Sequence, residues 1–369
     1  MPAIERVEIL MVDLAPKVVR TDAIQAFVSQ ETPIVRLYDR DGAVGTGYSY
    51  TIGTGGSSVV RLIRDHLAPM LIGRDADMIE DIWRALLFRM HATWPGAVTS
   101  LALAAIDTAL WDLRCRRAEL PLYVLAGGAQ ERVPAYTTEG GWLQLSVDEL
   151  VEEALEAKER GFKGAKLKIG KPGVAEDVAR VAAVREAVGS AFELMVDANQ
   201  GLTPDQALRR ARALEELDLA WLEEPLPADD VAGHARLAAA TRIPLAVGES
   251  LYSPGQFKEY LVREACGVVQ VDVARIGGIT PWLKVAHLAE TFGLPVAPHF
   301  LMELHVSLAA AVPNGRWVEH IPQLDEIALD GVSIHDGMAI PPEEPGLGID
   351  WNWDAIEQRR VGAATLVVD

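Results

Sequence analysis

From about Pro134 onward the sequence repeats one unit: a short apolar run ending in a polar or charged residue, then an amphipathic segment of helical period. Strands are expected at 133–137, 165–169, 193–197, 220–223, 245–249, 268–272, 295–299 and 317–319. Alternating strands and helices demand a parallel sheet covered by helices, and eight successive units favour closing that sheet into a (β/α) barrel. The rival is an open doubly wound sheet. It would carry a glycine-rich nucleotide turn, and the Gly-Gly pairs at Gly127 and Gly140 lack that spacing. Several helix boundaries are readable. Ser146 with Glu149 predicts a capping box and Gly161 a stop, while Thr203-Pro204 and Thr280-Pro281 each read as an N-cap followed by the first helical residue.

The first part of the chain has a different grammar. Strands are expected at 4–14 and 33–50, the second folded as a hairpin over Asp39-Arg40-Asp41-Gly42, with helices at 57–69, 76–90 and 97–116. This divides the chain into an α+β companion domain at 1–130, a barrel at 131–329 and a turn-rich tail at 330–369 expected to pack back on the companion domain. The stretches 15–25 and 45–56 are candidate loops for closing over the barrel mouth.

With 369 residues, 50% hydrophobic and 24% charged, the chain has the profile of a soluble protein with a large core. A net charge of −19 disfavours nucleic acid and anionic membrane surfaces as partners. Cys115 and Cys266 suggest neither a disulfide framework nor a thiolate metal site, which fits a reducing compartment. Glu5, Arg6 and Glu8 interrupt the apolar N-terminus, so no signal peptide is expected, and no stretch is long enough to span a bilayer. The expectation is a soluble cytoplasmic protein.

The chemistry lies at the ends of the expected strands. Lys168, Asp197, Glu223, Glu249, Asp272, His299 and Glu319 each fall about one βα unit after the previous one. In a closed barrel those ends converge on one face. Any single acid is more often a surface residue, but three at equivalent ends of adjacent strands repel one another unless a cation joins them. Asp197, Glu223 and Glu249 offer hard oxygens with no Cys or His, which points to Mg²⁺. Lys166 and Lys168 lie two apart and point the same way; a neighbouring ammonium is expected to lower the pKa of Lys168 and make it a base. His299 follows Asp272 by one strand and is the one histidine assigned a carboxylate partner, the others being read as core or surface residues. Glu319 is able to donate a hydrogen bond if its surroundings keep it protonated, and Asn199 and Gln200 are placed to contact a substrate hydroxyl.

These elements together resemble the enolase superfamily and its mandelate-racemase-like subgroup. The matching segments are Lys166-Leu167-Lys168, Asp197-Ala198-Asn199, Trp221-Leu222-Glu223-Glu224-Pro225, Gly248-Glu249, Asp272 before Gly277-Gly278-Ile279-Thr280, His299 and Glu319. The resemblance implies a modified TIM (β/α) barrel under an N-terminal α+β capping domain. It also implies Mg²⁺ at Asp197, Glu223 and Glu249, with Lys168 as base on one face of a small carboxylate substrate. His299 paired with Asp272 would serve the other face, Glu319 would hydrogen-bond the developing enolate, and Lys166 would orient or neutralise the carboxylate. Relatives commonly form homo-oligomers, so one is expected here.

The segment 298–305 is similar to that of acid-sugar dehydratases of the galactarate/talarate type, which makes dehydration the first expectation. Racemisation or epimerisation is the alternative; a noncatalytic metal-binding barrel would leave the lysine pair and the histidine–aspartate pair without a role. A phosphate-binding barrel lacks the Gly-rich turns expected after strands seven and eight. In the capping loops, which also carry Lys17 and Asp22, Arg20 and Tyr48 are the candidate substrate contacts, without a recognisable substrate code. Glu139, at the end of the first strand, would set a negative charge near an anionic substrate. Either it turns away, or the distal end of the substrate carries a cation or hydroxyls.

Overall fold

The computed structural model describes residues 2–362 and 365–369. Parallel strands Val133–Thr137, Gly164–Lys168, Glu193–Asp197, Leu219–Glu223, Leu245–Val247 and Val268–Val269 pair in that order. The ring continues through single bridges from Val269 to Val296 and from Val296 to Gly315, and Val318–His320 pairs with Val133–Thr137 to close it. The expected strand at 295–299 is thus reduced to a bridge at Val296, because Pro295 and Pro298 have no N–H to extend the ladder. Likewise, Glu249 and Asp272 stand just beyond strands that end at Val247 and Val269. At the first of these exits Gly248 has φ 154°, and a Cβ there would lie 2.5 Å from the Gln270 carbonyl carbon, so only glycine lets the chain turn Glu249 toward the mouth.

Alternation builds two cores. Tyr136, Met195, Trp221, Ala246, Val268 and Ala297 pack inside the ring, whereas Val133, Ala135, Leu194 and Val196 face the surrounding helices. The helix Val147–Glu159 buries Leu150, Ala154 and Ala157, one stripe of a 3.6-residue period, behind the Ser146–Glu149 capping box. Thr203 caps the helix Pro204–Leu214 through a box with Gln206. Thr280 does not act as expected: the helix Ile279–Thr291 begins two residues earlier and Gly278 occupies the cap position.

The reason lies in the capping domain. Its strands Ile4–Leu14, Gln30–Asp39 and Val44–Tyr48 form an antiparallel sheet, completed on the far side by Leu366–Val368. The hairpin turns where expected, but its first strand begins at Gln30. From the helix Ala97–Ala118, Asp107 accepts hydrogen bonds from Thr280 N at 2.9 Å and Thr280 Oγ1 at 2.7 Å, while Trp83 Nε1 donates to Gly277 O at 2.9 Å. A carboxylate from another domain therefore caps this helix, and a Cβ on Gly278 would lie 2.3 Å from Asp107 Oδ2. Asp107→Ala should destabilise the protein by about 1–3 kcal/mol, because the Thr280 amide and hydroxyl lose their buried partner. A fall in the urea midpoint would report it; an unchanged midpoint would remove this contact from the docking of the two domains.

The tail divides. Leu366–Val368 joins the capping sheet, but the hairpin Ser333–His335/Met338–Ile340 pairs with Val133 and Pro134 at the start of the first barrel strand. Those two residues precede the part of the strand that pairs with Gly164–Lys168, so the tail covers an edge the barrel leaves open. No helix among the described residues is long and apolar enough to cross a membrane.

Candidate active site

Asp197, Glu223 and Glu249 are all buried, and each offers a carboxylate oxygen within 4.8 Å of the others. At an effective dielectric of ~20, two unit charges that far apart repel by about 3 kcal/mol. The effect falls on Glu223, where burial and then the Asp197 charge push the carboxyl up to about 7 despite Lys166. Glu223 is otherwise held to accept, from Lys166 Nζ at 2.7 Å, Trp221 Nε1 at 3.0 Å and Gln270 Nε2 at 2.6 Å. Glu249 Oε2 is buried and makes no hydrogen bond, although His299 Nε2 stands 3.3 Å from it. An all-oxygen set this crowded with charge, one of its oxygens making no hydrogen bond, fits Mg²⁺.

The lysines differ from the sequence reading. Lys168 pairs with Asp197 Oδ2, and although burial and Lys166 both work against its charge, the Asp197 carboxylate raises it above the ordinary lysine value. The neighbouring ammonium does act in the expected direction, but the salt bridge wins. Asp197 would be one of the residues holding a cation, and its carboxylate, shared in that way, would favour the Lys168 ammonium less. Lys166 spans Glu223 at 2.7 Å and Glu319 Oε1 at 2.9 Å. Glu319 accepts from the Thr138 hydroxyl and from Phe300 N at 2.8 Å. Burial opposes its charge, but Lys166 and His299 hold the carboxyl well below the usual range. The condition for Glu319 to act as a neutral donor is therefore not met in this arrangement.

His299 Nδ1 lies 2.9 Å from Asp272 Oδ2, so the imidazole donates there and leaves Nε2 directed toward Glu249, 3.3 Å from its Oε2. Burial disfavours a charged ring, yet the Glu249 and Asp272 carboxylates outweigh it and raise the histidine. Asp272, though buried, is held down at about 2 by His299. Two partners of this pair were not foreseen. Tyr50 Oη donates to Asp272 Oδ2 at 2.7 Å, and Arg275 Nε donates to Tyr50 Oη at 3.1 Å. His305, by contrast, is a buried structural group pushed down to about 4 by burial, bonded to Val273 N and Phe300 O.

A cavity of about 50 Å³ at the mouth is lined by Lys168, Asn199, Glu249, Arg275, His299 and Glu319, with Asp22, Gln25, Phe27 and Ile52 from the capping domain. Phe27 sits in a two-stranded ribbon, Arg20–Thr21/Ala26–Phe27, and its ring lies 6.0 Å from that of Phe300, which narrows the space. Asn199, Gln200, Glu224 and Phe300 all adopt positive φ around this mouth, a cluster of strained backbone of the kind held at functional sites. Tyr48 does not reach the cavity. It is fully buried, its ring 5.5 Å from Trp351, because the strand places it on the face packed inside the domain; Tyr50 is the tyrosine that reaches the Asp272–His299 pair. Arg20 does not line the cavity either. Its guanidinium pairs with Glu139 Oε1 and donates to Pro322 O at 3.0 Å. Glu139 likewise does not line this cavity: it turns away from the mouth, and a capping-domain cation neutralises it. Lys17 extends to Asp325, 3.5 Å away. A larger cavity of about 390 Å³ lies on the other side of Arg20 and Glu139, but none of Lys168, Asp197, Glu223, Glu249, Asp272, His299 and Glu319 lines it.

Comparison with known proteins agrees with this architecture. Residues 6–127 match the mandelate racemase/muconate lactonizing enzyme N-terminal domain, and residues 149–355 match the enolase C-terminal domain-like family. The chain is 39% identical to L-talarate/galactarate dehydratase of Salmonella typhimurium over 85% of its own length and 79% of that protein. It is 38% identical to 3,6-anhydro-alpha-L-galactonate cycloisomerase of Streptomyces coelicolor, over 91% of this chain and 93% of that one. The crystal structure of the Salmonella dehydratase liganded with Mg and L-lyxarohydroxamate superposes with a TM-score of 0.94 at 36% identity, covering 99% of this chain and 94% of that one. With both of its domains matched and its strand-end acids gathered at one mouth, this chain belongs to the mandelate racemase/muconate lactonizing enzyme family of the enolase superfamily.

Proposed function

We propose that this protein is a Mg²⁺-dependent acid-sugar dehydratase that removes the proton α to a carboxylate and expels a β-hydroxyl as water, giving a 2-keto-3-deoxy acid. The observation that carries the reading is that Lys168 and His299, from the second and seventh strand positions, line one cavity beside the Asp197, Glu223 and Glu249 oxygens. Those three residues would hold the metal. When bound, Mg²⁺ supplies positive charge against the substrate carboxylate and so lowers the cost of α-proton removal. Lys168 Nζ, or His299 Nε2 for the opposite configuration, accepts the α-proton, and the base on the other side returns a proton to the departing hydroxyl. Asp272 fixes the His299 tautomer, Lys166 offsets carboxylate charge, and Glu319 orders Lys166 and Phe300 N. Asn199 and the capping loops border the substrate. A cytoplasmic site of action is part of the reading, supported by two buried cysteines without a disulfide. Assembly into a homo-oligomer is a further part of it, checked by light scattering.

A screen of acid sugars and simple hydroxy acids in D₂O with Mg²⁺ tests the chemistry. Keto product from an acid sugar is the expected result. Deuterium entering the α-carbon without keto product would instead establish a racemase or epimerase, which the same two bases permit.

A further inference from the structure

Resting on that dehydratase reading, we infer that the substrate is a monocarboxylate whose far end is neutral and hydroxylated: the cavity holds no cation free to receive a second carboxylate. Among the described residues lining it, the basic ones are Lys168, Arg275 and His299. Each is committed at the metal end, Lys168 to Asp197, His299 to Asp272, and Arg275 to Tyr50 Oη at 3.1 Å and the Glu249 carbonyl at 3.3 Å.

The opposite wall is formed by Asp22, Gln25, Phe27, Ile52, Thr138 and Ile321. Its one charge is negative, and Asp22 is fixed in place by accepting from Ile24 N at 2.8 Å and Gln25 N at 2.9 Å. Arg20, the capping-domain cation nearest by sequence and fold, is buried and already paired with Glu139. A diacid would have to part that pair, exposing Glu139 to its own carboxylate, so like charges would meet whichever way Arg20 moved. Asn199 Oδ1 adds a positive indication. It is buried without a partner on a residue that lines the cavity, and it accepts a hydrogen bond, which a hydroxyl can donate and an ionised carboxylate cannot.

The test uses acid pairs that differ only at C6: galactonate with galactarate, gluconate with glucarate, mannonate with mannarate. Binding to the Mg²⁺-loaded protein is measured by calorimetry, and α-deuterium exchange is followed separately. The monoacid that binds most tightly should exceed its diacid by about tenfold or more, a modest share of what like-charge contact costs. Glu139→Gln should narrow the ratio by releasing Arg20 for the diacid. A diacid that binds as tightly as its monoacid, or a ratio untouched by Glu139→Gln, overturns the inference. Monoacid preference without any α-exchange supports it while overturning the dehydratase reading. Absence of binding across the panel overturns both.

Discussion

Glu223→Gln should lower turnover by about three orders of magnitude, the equivalent of several kcal/mol of lost charge stabilisation at the metal. The carboxylate is fully buried and every neighbour placed on it is a donor: Lys166 on Oε1, Trp221 and Gln270 on Oε2. A glutamine must aim its amide N–H₂ at one of these sides, so one donor loses its acceptor and the negative charge that would hold Mg²⁺ is gone. Calorimetry should show weakened Mg²⁺ binding while circular dichroism shows a retained fold. Unchanged metal affinity would take Glu223 out of the ligand set, and full activity in thoroughly chelated enzyme would take the metal out of the reaction.

The two bases should separate just as sharply. Lys168→Ala and His299→Asn are each expected to cost about 10²–10⁴ in rate for substrates whose α-proton faces the deleted group. His299→Asn should leave Mg²⁺ affinity within a few-fold, since the imidazole touches Glu249 at 3.3 Å but is anchored on Asp272. It should also preserve any α-deuterium exchange that Lys168 performs alone. Full turnover of every substrate by His299→Asn would remove it from the mechanism.

The placement of acids and bases was readable because both rules behind it are local. A period of two sets Lys166 and Lys168 on one side of a strand, and the length of a βα unit brings Asp197 and Glu223 to equivalent ends. What escaped was non-local. Tyr50 meets Asp272 across 222 residues of sequence, and nothing near either residue announces the other. Tyr48 and Tyr50 lie on one extended segment, and only the docked barrel distinguishes the core tyrosine from the one that reaches Asp272. The charge states of Lys168 and Glu319 could not be read from their neighbours in sequence, because Asp197 and Lys166 set them through space. Thr280 failed as a cap for the same reason, its partner Asp107 arriving from a different domain.

The pairing of Ile4–Leu14 with Leu366–Val368 also bears on how the chain is made. The first strand leaves the ribosome early and finds Gln30–Asp39 at once, but its other edge stays open until the whole barrel has been synthesised. Throughout that interval a nascent chain carries an unpaired strand edge rich in buried apolar residues, including Val7, Ile9 and Val12. Aggregation during synthesis is therefore a hazard at the capping sheet, and it ends only when Leu366–Val368 arrives.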